Sequence, residues 1–346
     1  SLGFYRMKTD RPPVCFKSSS LAYSGNDPGI DPALLRRLPP FIWRRCSFIF
    51  RAVHWKKITL VGVGLLGGSL GLALKRRRLA REIAGCVRRA ASVKECAEVG
   101  AVDYATTDLL AAVWNADLVI LCTPIAQMPA LVEQMRPALK RGAIVTDVGS
   151  VKANLVERLE GTITAAGAHF VGSHPMAGTE KTGVSAADED LFAGAICVVT
   201  PTRHTPRTAL NKVERFWKSV GCRVMKLSPE VHDLLVSKAS HLPHVVAATL
   251  VSLVLDPSQP EQQATLCATG FRDTTRVASG SPEMWRDIAV ANRKYLREAL
   301  DDFVRQLQRV QALLREGNPD HLARFFETAK RRRDEWSHGM AARSPE

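Results

Sequence analysis

The sequence predicts an α/β fold, an N-terminal doubly wound and mostly parallel sheet, followed by an all-helical second domain. Three observations carry that prediction. Apolar strand-like runs alternate with helix-like runs from Lys57 to Thr200, the pattern of a parallel sheet covered by helices on both faces. A glycine-rich turn joins the first of these strands to the first helix. After Pro201 strand signals almost cease, apart from a brief one at Arg223 to Leu227, and long helical runs take over. The divisions expected are an extension over 1–55, a sheet domain over 56–204, a helical domain over 205–336 and a tail over 337–346.

A chain of 346 residues is long enough for two domains and a well-buried core. Its net charge of +14 suggests nucleic acid or an anionic surface. The arginines, however, fall in short clusters (Arg36-Arg37, Arg44-Arg45, Lys75 to Arg78, Lys330 to Arg333) with no interleaved aromatics and no nucleic-acid-binding motif. They read as solvated helix ends, and a basic protein then favours an anionic small molecule by steering. The eight cysteines are scattered, with no Cys-x-x-Cys pair and no zinc spacing. Several lie in apolar runs as free thiols, which points to a reducing, cytoplasmic setting. Phe41 to Trp55 is broken by Arg44, Arg45 and Arg51, so it is not expected to span a membrane, and it lacks the features of a signal peptide.

Residues 1–55 carry breakers such as Asp27-Pro28-Gly29 and no sustained period, and are expected to be poorly ordered. Ile58 to Val61 is a strand, Gly62-Val63-Gly64-Leu65-Leu66-Gly67 follows at once, and Leu70 to Arg78 continues as a helix. Strand, Gly-x-Gly-x-x-Gly, helix is the Rossmann-type dinucleotide-binding arrangement. Gly62 permits the tight turn, Gly64 lets a pyrophosphate approach the backbone, and Gly67 lets helix pack on strand. Leu65 and Leu66 complete the cradle at the helix N-terminus, where the anion sits. The second strand of such a fold ends in an acid when the cofactor is NAD. Here it ends in Val87, with Arg88 and Arg89 directly after. Two guanidiniums can pair with a 2′-phosphate, so NADP is preferred over NAD, although arginines that merely face solvent give the same pattern.

Further strands end in Thr123-Pro124 and in Asp147-Val148-Gly149-Ser150. A third, His169 to Val171, leads into Gly-Ser-His-Pro-Met-Ala-Gly-Thr-Glu-Lys, a loop too polar and glycine-rich to be core. Ligands bind beyond the carboxyl ends of strands in such sheets, so Thr123, Ser150 and His174 are expected to border one crevice. A histidine followed by Thr179, Glu180 and Lys181 is a layout for moving a proton beside a small anion; an exposed loop with an incidental histidine is the plainer alternative. Gly194 to Thr200 reads as an edge strand. In the helical domain, runs are expected over Pro229 to Leu255, Gln262 to Cys267, Pro282 to Leu314 and Asp320 to Arg333. Long amphipathic helices of this kind suggest a homodimer interface. His241 and His244 straddle Pro243, but no third ligand has metal-motif spacing, so no metal is expected.

Several motifs together resemble the prephenate/arogenate dehydrogenase family of tyrosine biosynthesis, from about Lys57 to Trp336. They are Gly-Val-Gly-Leu-Leu-Gly-Gly-Ser (62–69), Leu-Cys-Thr-Pro (121–124), Asp-Val-Gly-Ser-Val-Lys (147–152) and Gly-Ser-His-Pro-Met-Ala-Gly-Thr-Glu (172–180), then Ser-His-Leu-Pro-His (240–244), Gly-Phe-Arg-Asp-Thr-Thr-Arg (270–276) and Met-Trp-Arg-Asp-Ile (284–288). The resemblance implies oxidative decarboxylation of a small anion, prephenate or arogenate, by NAD(P)+. It implies that His174 is the general base, with Ser150 bridging imidazole, substrate hydroxyl and nicotinamide. It makes Arg276 the main anion anchor, gives Arg272 an accompanying place, and sets His244 against the substrate side chain. Thr179 and Glu180 would border the pocket, with Glu180 meeting Arg276 as a gate; His241 would make structural hydrogen bonds and Trp285 would shape the pocket wall. Other classes remain open: another two-domain NADP oxidoreductase such as a β-hydroxyacid dehydrogenase or imine reductase, an inert NADP-binding sensor, and a basic nucleic-acid-binding protein.

Overall fold

The structure, a computed structural model, describes residues 55–179 and 181–341. The expectation for the N-terminal extension lies outside the described residues, apart from Trp55, and so does that for Glu180.

The first layer is a six-stranded sheet of order β3-β2-β1-β4-β5-β6, every neighbouring pair parallel. Its strands are β1 (Trp55–Val61), β2 (Ala80–Cys86), β3 (Tyr104–Thr106), β4 (Leu118–Leu121), β5 (Ile144–Asp147) and β6 (His169–Phe170). Helices α1 (Leu65–Arg76), α2 (Ala90–Val99), α3 (Leu109–Val113), α4 (Met128–Met135) and α5 (Ala153–Ala165) make the crossovers. Ile58, Leu60, Leu118 and Ile120 pack into one core and Val61, Val119, Leu121 and Val145 into another. Burial on both faces is why these strands read as continuous apolar runs rather than alternating ones. The strand order reverses between β1 and β4, which opens a crevice at their carboxyl ends.

Two sequence expectations change at the next stretch. Gly172–Pro175 is not a polar loop but strand β7, buried throughout. Its polar groups are tolerated inside because they are hydrogen-bonded: Ser173 N–H donates to Asp147 Oδ1 at 3.0 Å, and its hydroxyl donates to the Asp147 carbonyl at 2.6 Å. The strand β8 (Ile196–Thr200) is not an edge; it lies between β7 and β9 (Arg223–Lys226), antiparallel to the first and parallel to the second.

The expected division near residue 205 also moves. Helix α6 (Arg207–Val220) buries Ala209, Val213, Phe216, Trp217 and Val220 in the same core as β1, and β9 completes the small sheet. Both therefore pack with the sheet domain, and the helical layer starts only after Lys226. Composition could not show this, because an amphipathic helix covering a sheet looks like one in a bundle.

That layer comprises α7 (Pro229–Val236), a π-helical turn Ser237–His241, α8 (Leu242–Val254), α9 (Glu261–Thr265), α10 (Thr269–Thr275), α11 (Pro282–Ala291), α12 (Arg293–Glu316) and α13 (Pro319–Ala341). The run Pro229–Val254 has the length and apolarity of a membrane span. Its inner face nevertheless carries buried His232, Asp233, Ser237 and His241. The single run expected over Pro282 to Leu314 breaks at Asn292, and the last helix continues to Ala341 instead of giving way to a tail at 337. Helix α10 ends at Thr275, and Arg276 opens a 3-10 turn.

Candidate active site

The glycine turn is built for an anion. Gly62 has φ +97°, which L side chains rarely adopt, and a Cβ on Gly67 would stand 2.0 Å from the Gly62 carbonyl. Nothing lies within 4 Å of where a Gly64 Cβ would be, so a ligand can come against the backbone there. Helix α1 has no side-chain cap and no acid in its first turn, leaving N–H groups and the positive end of the helix dipole for a phosphate. A cavity of about 510 Å³ runs from this turn past Val87, Arg88, Arg89 and Thr123-Pro124. Arg88 and Arg89 are exposed on its rim. The Thr123 hydroxyl is buried without a hydrogen-bond partner among the described residues, a polar atom that a bound ligand would satisfy. The residues present thus fit a dinucleotide.

A second cavity, of about 390 Å³, adjoins the first at Thr123 and lies between the two layers. Leu65, Leu66, Ser150 and Thr179 line it from the sheet side, and Gly280, Ser281 and Ile288 from the helical side. A third, of about 270 Å³, shares Gly280 and Ile288 with it and is lined mainly by apolar groups together with His241, His244 and Trp285. The His244 ring stacks on Trp285 with centroids 3.5 Å apart. Trp285 Nε1 is buried without a partner among the described residues.

His174 lies in a buried strand rather than on a loop, and it lines neither the crevice nor its apolar chamber. Strand β7 holds it at 7% exposure. Burial, then the charges of His232, Lys152 and His241, push its pKa well below the ordinary imidazole range, so the ring is neutral at physiological pH. His174 Nδ1 lies 2.9 Å from His232 Nε2, and His232 Nδ1 lies 2.7 Å from Asp233 Oδ1. The two carboxylate oxygens of Asp233 also accept the backbone N–H groups of Lys152 and Ala153, at 2.8 and 2.9 Å, where α5 begins. A residue of the helical layer thereby caps a helix of the sheet domain. Alongside, the ammonium of Lys152 donates to Asp147 in a fully buried pair.

His241 is inward-facing because of the π-helical turn. Asn292 Nδ2 donates to the Asp233 carbonyl at 3.0 Å and stands 3.0 Å from His241 Nδ1. Since that carbonyl can only accept, the amide nitrogen is fixed as donor and His241 Nδ1 as acceptor. Burial pushes the pKa of His241 down to about 4.

Of the residues singled out from sequence, Thr123, Ser150, Thr179, His241, His244 and Trp285 line the crevice and its apolar chamber. Arg272 is exposed beside Asp273 at 4.0 Å. Arg276 is exposed, and its charge helps burial to lower the pKa of His244. Among the described residues no cluster of His, Cys, Asp or Glu is arranged to hold a metal. Sequence reasoning missed His232, Asp233 and Asn292. The available signal was an adjacent His-Asp pair inside the apolar run Pro229–Val254, where unpaired polar groups are costly.

The described geometry agrees with known proteins. Residues 70–226 match the profile described as prephenate dehydrogenase, nucleotide-binding domain, and residues 228–328 that described as prephenate dehydrogenase, dimerization domain. The break at 227 coincides with the structural one. The chain is 34% identical over 282 residues to the prephenate dehydrogenase of Bacillus subtilis, covering 80% of this chain and 75% of that one. The crystal structure of prephenate dehydrogenase from A. aeolicus in complex with hydroxyphenyl propionate and NAD+ superposes with a TM-score of 0.78 at 34% identity, covering 82% of this chain and 99% of that one. The structure of Synechocystis arogenate dehydrogenase gives 0.69 at 33% identity, covering 81% and 99%. With both layers matched across most of its length, the chain belongs to the prephenate dehydrogenase family of oxidoreductases.

Proposed function

We propose that this chain oxidatively decarboxylates prephenate to 4-hydroxyphenylpyruvate, with NADP+ as the preferred hydride acceptor. The observation that carries the reading is one crevice between the layers, bordered by the glycine-turn helix, Thr123 and Ser150, in a chain whose His174 is kept neutral by burial. Nicotinamide supplies the acceptor for the hydride that leaves C4. Aromatisation drives loss of CO2 from C1, so the protein mainly positions the substrate and removes one proton. His174 takes the C4 hydroxyl proton as that oxygen becomes carbonyl-like, and the Ser150 hydroxyl orients it. Arg276 anchors a substrate carboxylate, with Arg272 in support. His244, held on Trp285, packs on the substrate side chain, and Thr179 borders the pocket.

Prephenate is favoured over arogenate because no carboxylate among the described residues lines the chamber of His241, His244 and Trp285, and the one lining the adjoining crevice, Asp287, already pairs with Arg286. NADP is favoured because Val87 stands where an acid would bind ribose hydroxyls and two guanidiniums flank the rim. Formation of reduced cofactor, followed by absorbance for both substrates with both cofactors, tests all of this. Prephenate with NADP+ should give the highest kcat/KM; turnover of neither substrate would overturn the reading.

We further infer a homodimer. Leu253, Leu307, Phe326 and Trp336 are exposed on α8, α12 and α13, an apolar surface suited to a second copy. Light scattering on the purified chain should give twice the monomer mass, and a monomer at micromolar concentration would refute it. The six described cysteines are all free, which favours a reducing, cytoplasmic setting.

A further inference from the structure

We propose that His232 and Asp233 are positioning residues that fix which nitrogen of His174 is the base. The inference rests on the assignment of His174 as proton acceptor and goes beyond it, to the device that sets its tautomer.

The argument follows the hydrogen bonds inward. Asp233 Oδ1 already accepts the Lys152 N–H at 2.8 Å, so towards His232 Nδ1, at 2.7 Å, it is the acceptor and the ring nitrogen donates. A neutral His232 with its proton on Nδ1 has only a lone pair at Nε2. His174 Nδ1, at 2.9 Å, must therefore carry the proton and donate it to that lone pair. The one remaining lone pair of His174 is on Nε2, which has no hydrogen-bond partner among the described residues. The base is thus left open at Nε2.

When Nε2 takes the hydroxyl proton, the ring becomes an imidazolium whose Nδ1–H still donates to His232. Its charge is felt by Asp233 through one intervening ring, and no further proton need move. The groups facing this pair are Asp147 and Lys152 from the end of β5 and the start of α5, Asp233 from α7, His241 from the π-helical turn and the Cys197 thiol from β8. Asp147 and Lys152 pair with each other, and burial keeps the thiol neutral, so Asp233 is the carboxylate left to favour the imidazolium. The same carboxylate holds the N-terminus of α5. Seating the helical layer on the sheet domain and setting the tautomer are therefore one event.

Asp233→Asn removes the charge and leaves one amide oxygen where the carboxylate accepts from Lys152, Ala153 and His232. An amide nitrogen turned to His232 Nδ1 moves the His232 proton to Nε2 and the His174 proton to Nε2, which occupies the base; an amide oxygen kept there preserves the tautomer and loses only the charge. Expected are a fall in kcat of roughly 10²–10⁴-fold where the nitrogen is turned in, an unchanged cofactor Kd, and an acidic limb of the kcat/KM profile moved to lower pH because the imidazolium has lost its carboxylate. His232→Gln keeps an acceptor oxygen near Nε2 and should stay within about tenfold of wild type, whereas His232→Leu should lose as much as Asp233→Asn. Nitrogen-15 spectra of the wild-type histidines read the tautomer without reference to activity: Nδ1 of His174 should be the protonated nitrogen. A wild-type His174 protonated at Nε2, or Asp233→Asn with kcat within threefold and an unmoved limb, overturns the proposal. If Asp233→Asn does not fold, the spectra and the Gln–Leu pair decide. His174→Asn separates the two levels: undiminished turnover would remove His174 as base, while the spectra still report whether the chain sets its tautomer.

Discussion

The two halves of the active site are built in opposite ways. At the glycine turn the ligand groups are backbone N–H groups within six consecutive residues, in an open cavity of about 510 Å³. The histidine cluster is instead made of side chains drawn from β5, the start of α5, β7, α7, the π-helical turn and Asn292, almost all sealed from solvent. An anion needs only a concave row of N–H groups and a helix end, which local conformation supplies. A base must have a defined tautomer and a lowered pKa, which need burial and several ordered partners. The first region should therefore tolerate side-chain change and resist backbone change, and the second the reverse.

The largest effect is expected at the buried end. His174→Asn should lower kcat by roughly 10²–10⁴-fold with cofactor affinity intact; titration of the cofactor by fluorescence, beside steady-state kinetics, checks both. A weakened cofactor Kd would show that the two regions are not separable.

Next comes Lys152→Met, which leaves the Asp147 carboxylate buried without its cation. A loss of about 3–5 kcal/mol is expected on urea denaturation, largely recovered in the double variant with Asp147→Asn. Equal loss in the double variant would mean that packing, not charge, holds the site.

Acid should act through the same cluster. The folded pKa of His241, about 4, is below the ordinary 6.5. The unfolded chain therefore takes the proton first, and stability rises with pH between those values and is flat above. This group alone amounts to about 3 kcal/mol, and His174 adds in the same direction. Denaturation midpoints unchanged from pH 7 to 5 would contradict the burial.

At the glycine turn, Gly67→Ala drives a methyl against the Gly62 carbonyl. Overpacking of about 1–3 kcal/mol should appear mainly as weaker cofactor binding, with kcat at saturation little changed. The smallest effect is expected from Arg88→Ser with Arg89→Ser, which should raise KM for NADP+ about tenfold and leave that for NAD+ alone. An equal change for both cofactors would remove the 2′-phosphate role.

Much of this protein was legible without coordinates where function is local. Gly62 to Gly67 announced the cradle, and Thr123 and Ser150 could be placed at strand ends because parallel sheets put their sites there. Legibility failed where context overrides residue type. Gly172–Pro175 looks like a loop but is a buried strand, because Asp147 satisfies Ser173 and Thr200 pairs across from Gly172. Arg207–Val220 looks like part of a bundle but covers the sheet, because Phe216 and Trp217 find the β1 core.

By itself the sequence determined a parallel sheet followed by helices, with a glycine turn between the first strand and the first helix, since each of these is written in neighbouring residues. Tertiary structure alone decided that His232 and Asp233 stand behind His174, and that one carboxylate both caps α5 and accepts from the His232 ring. A hydrogen-bond chain of that kind joins residues far apart in the chain, and only packing brings its members within 3 Å of one another.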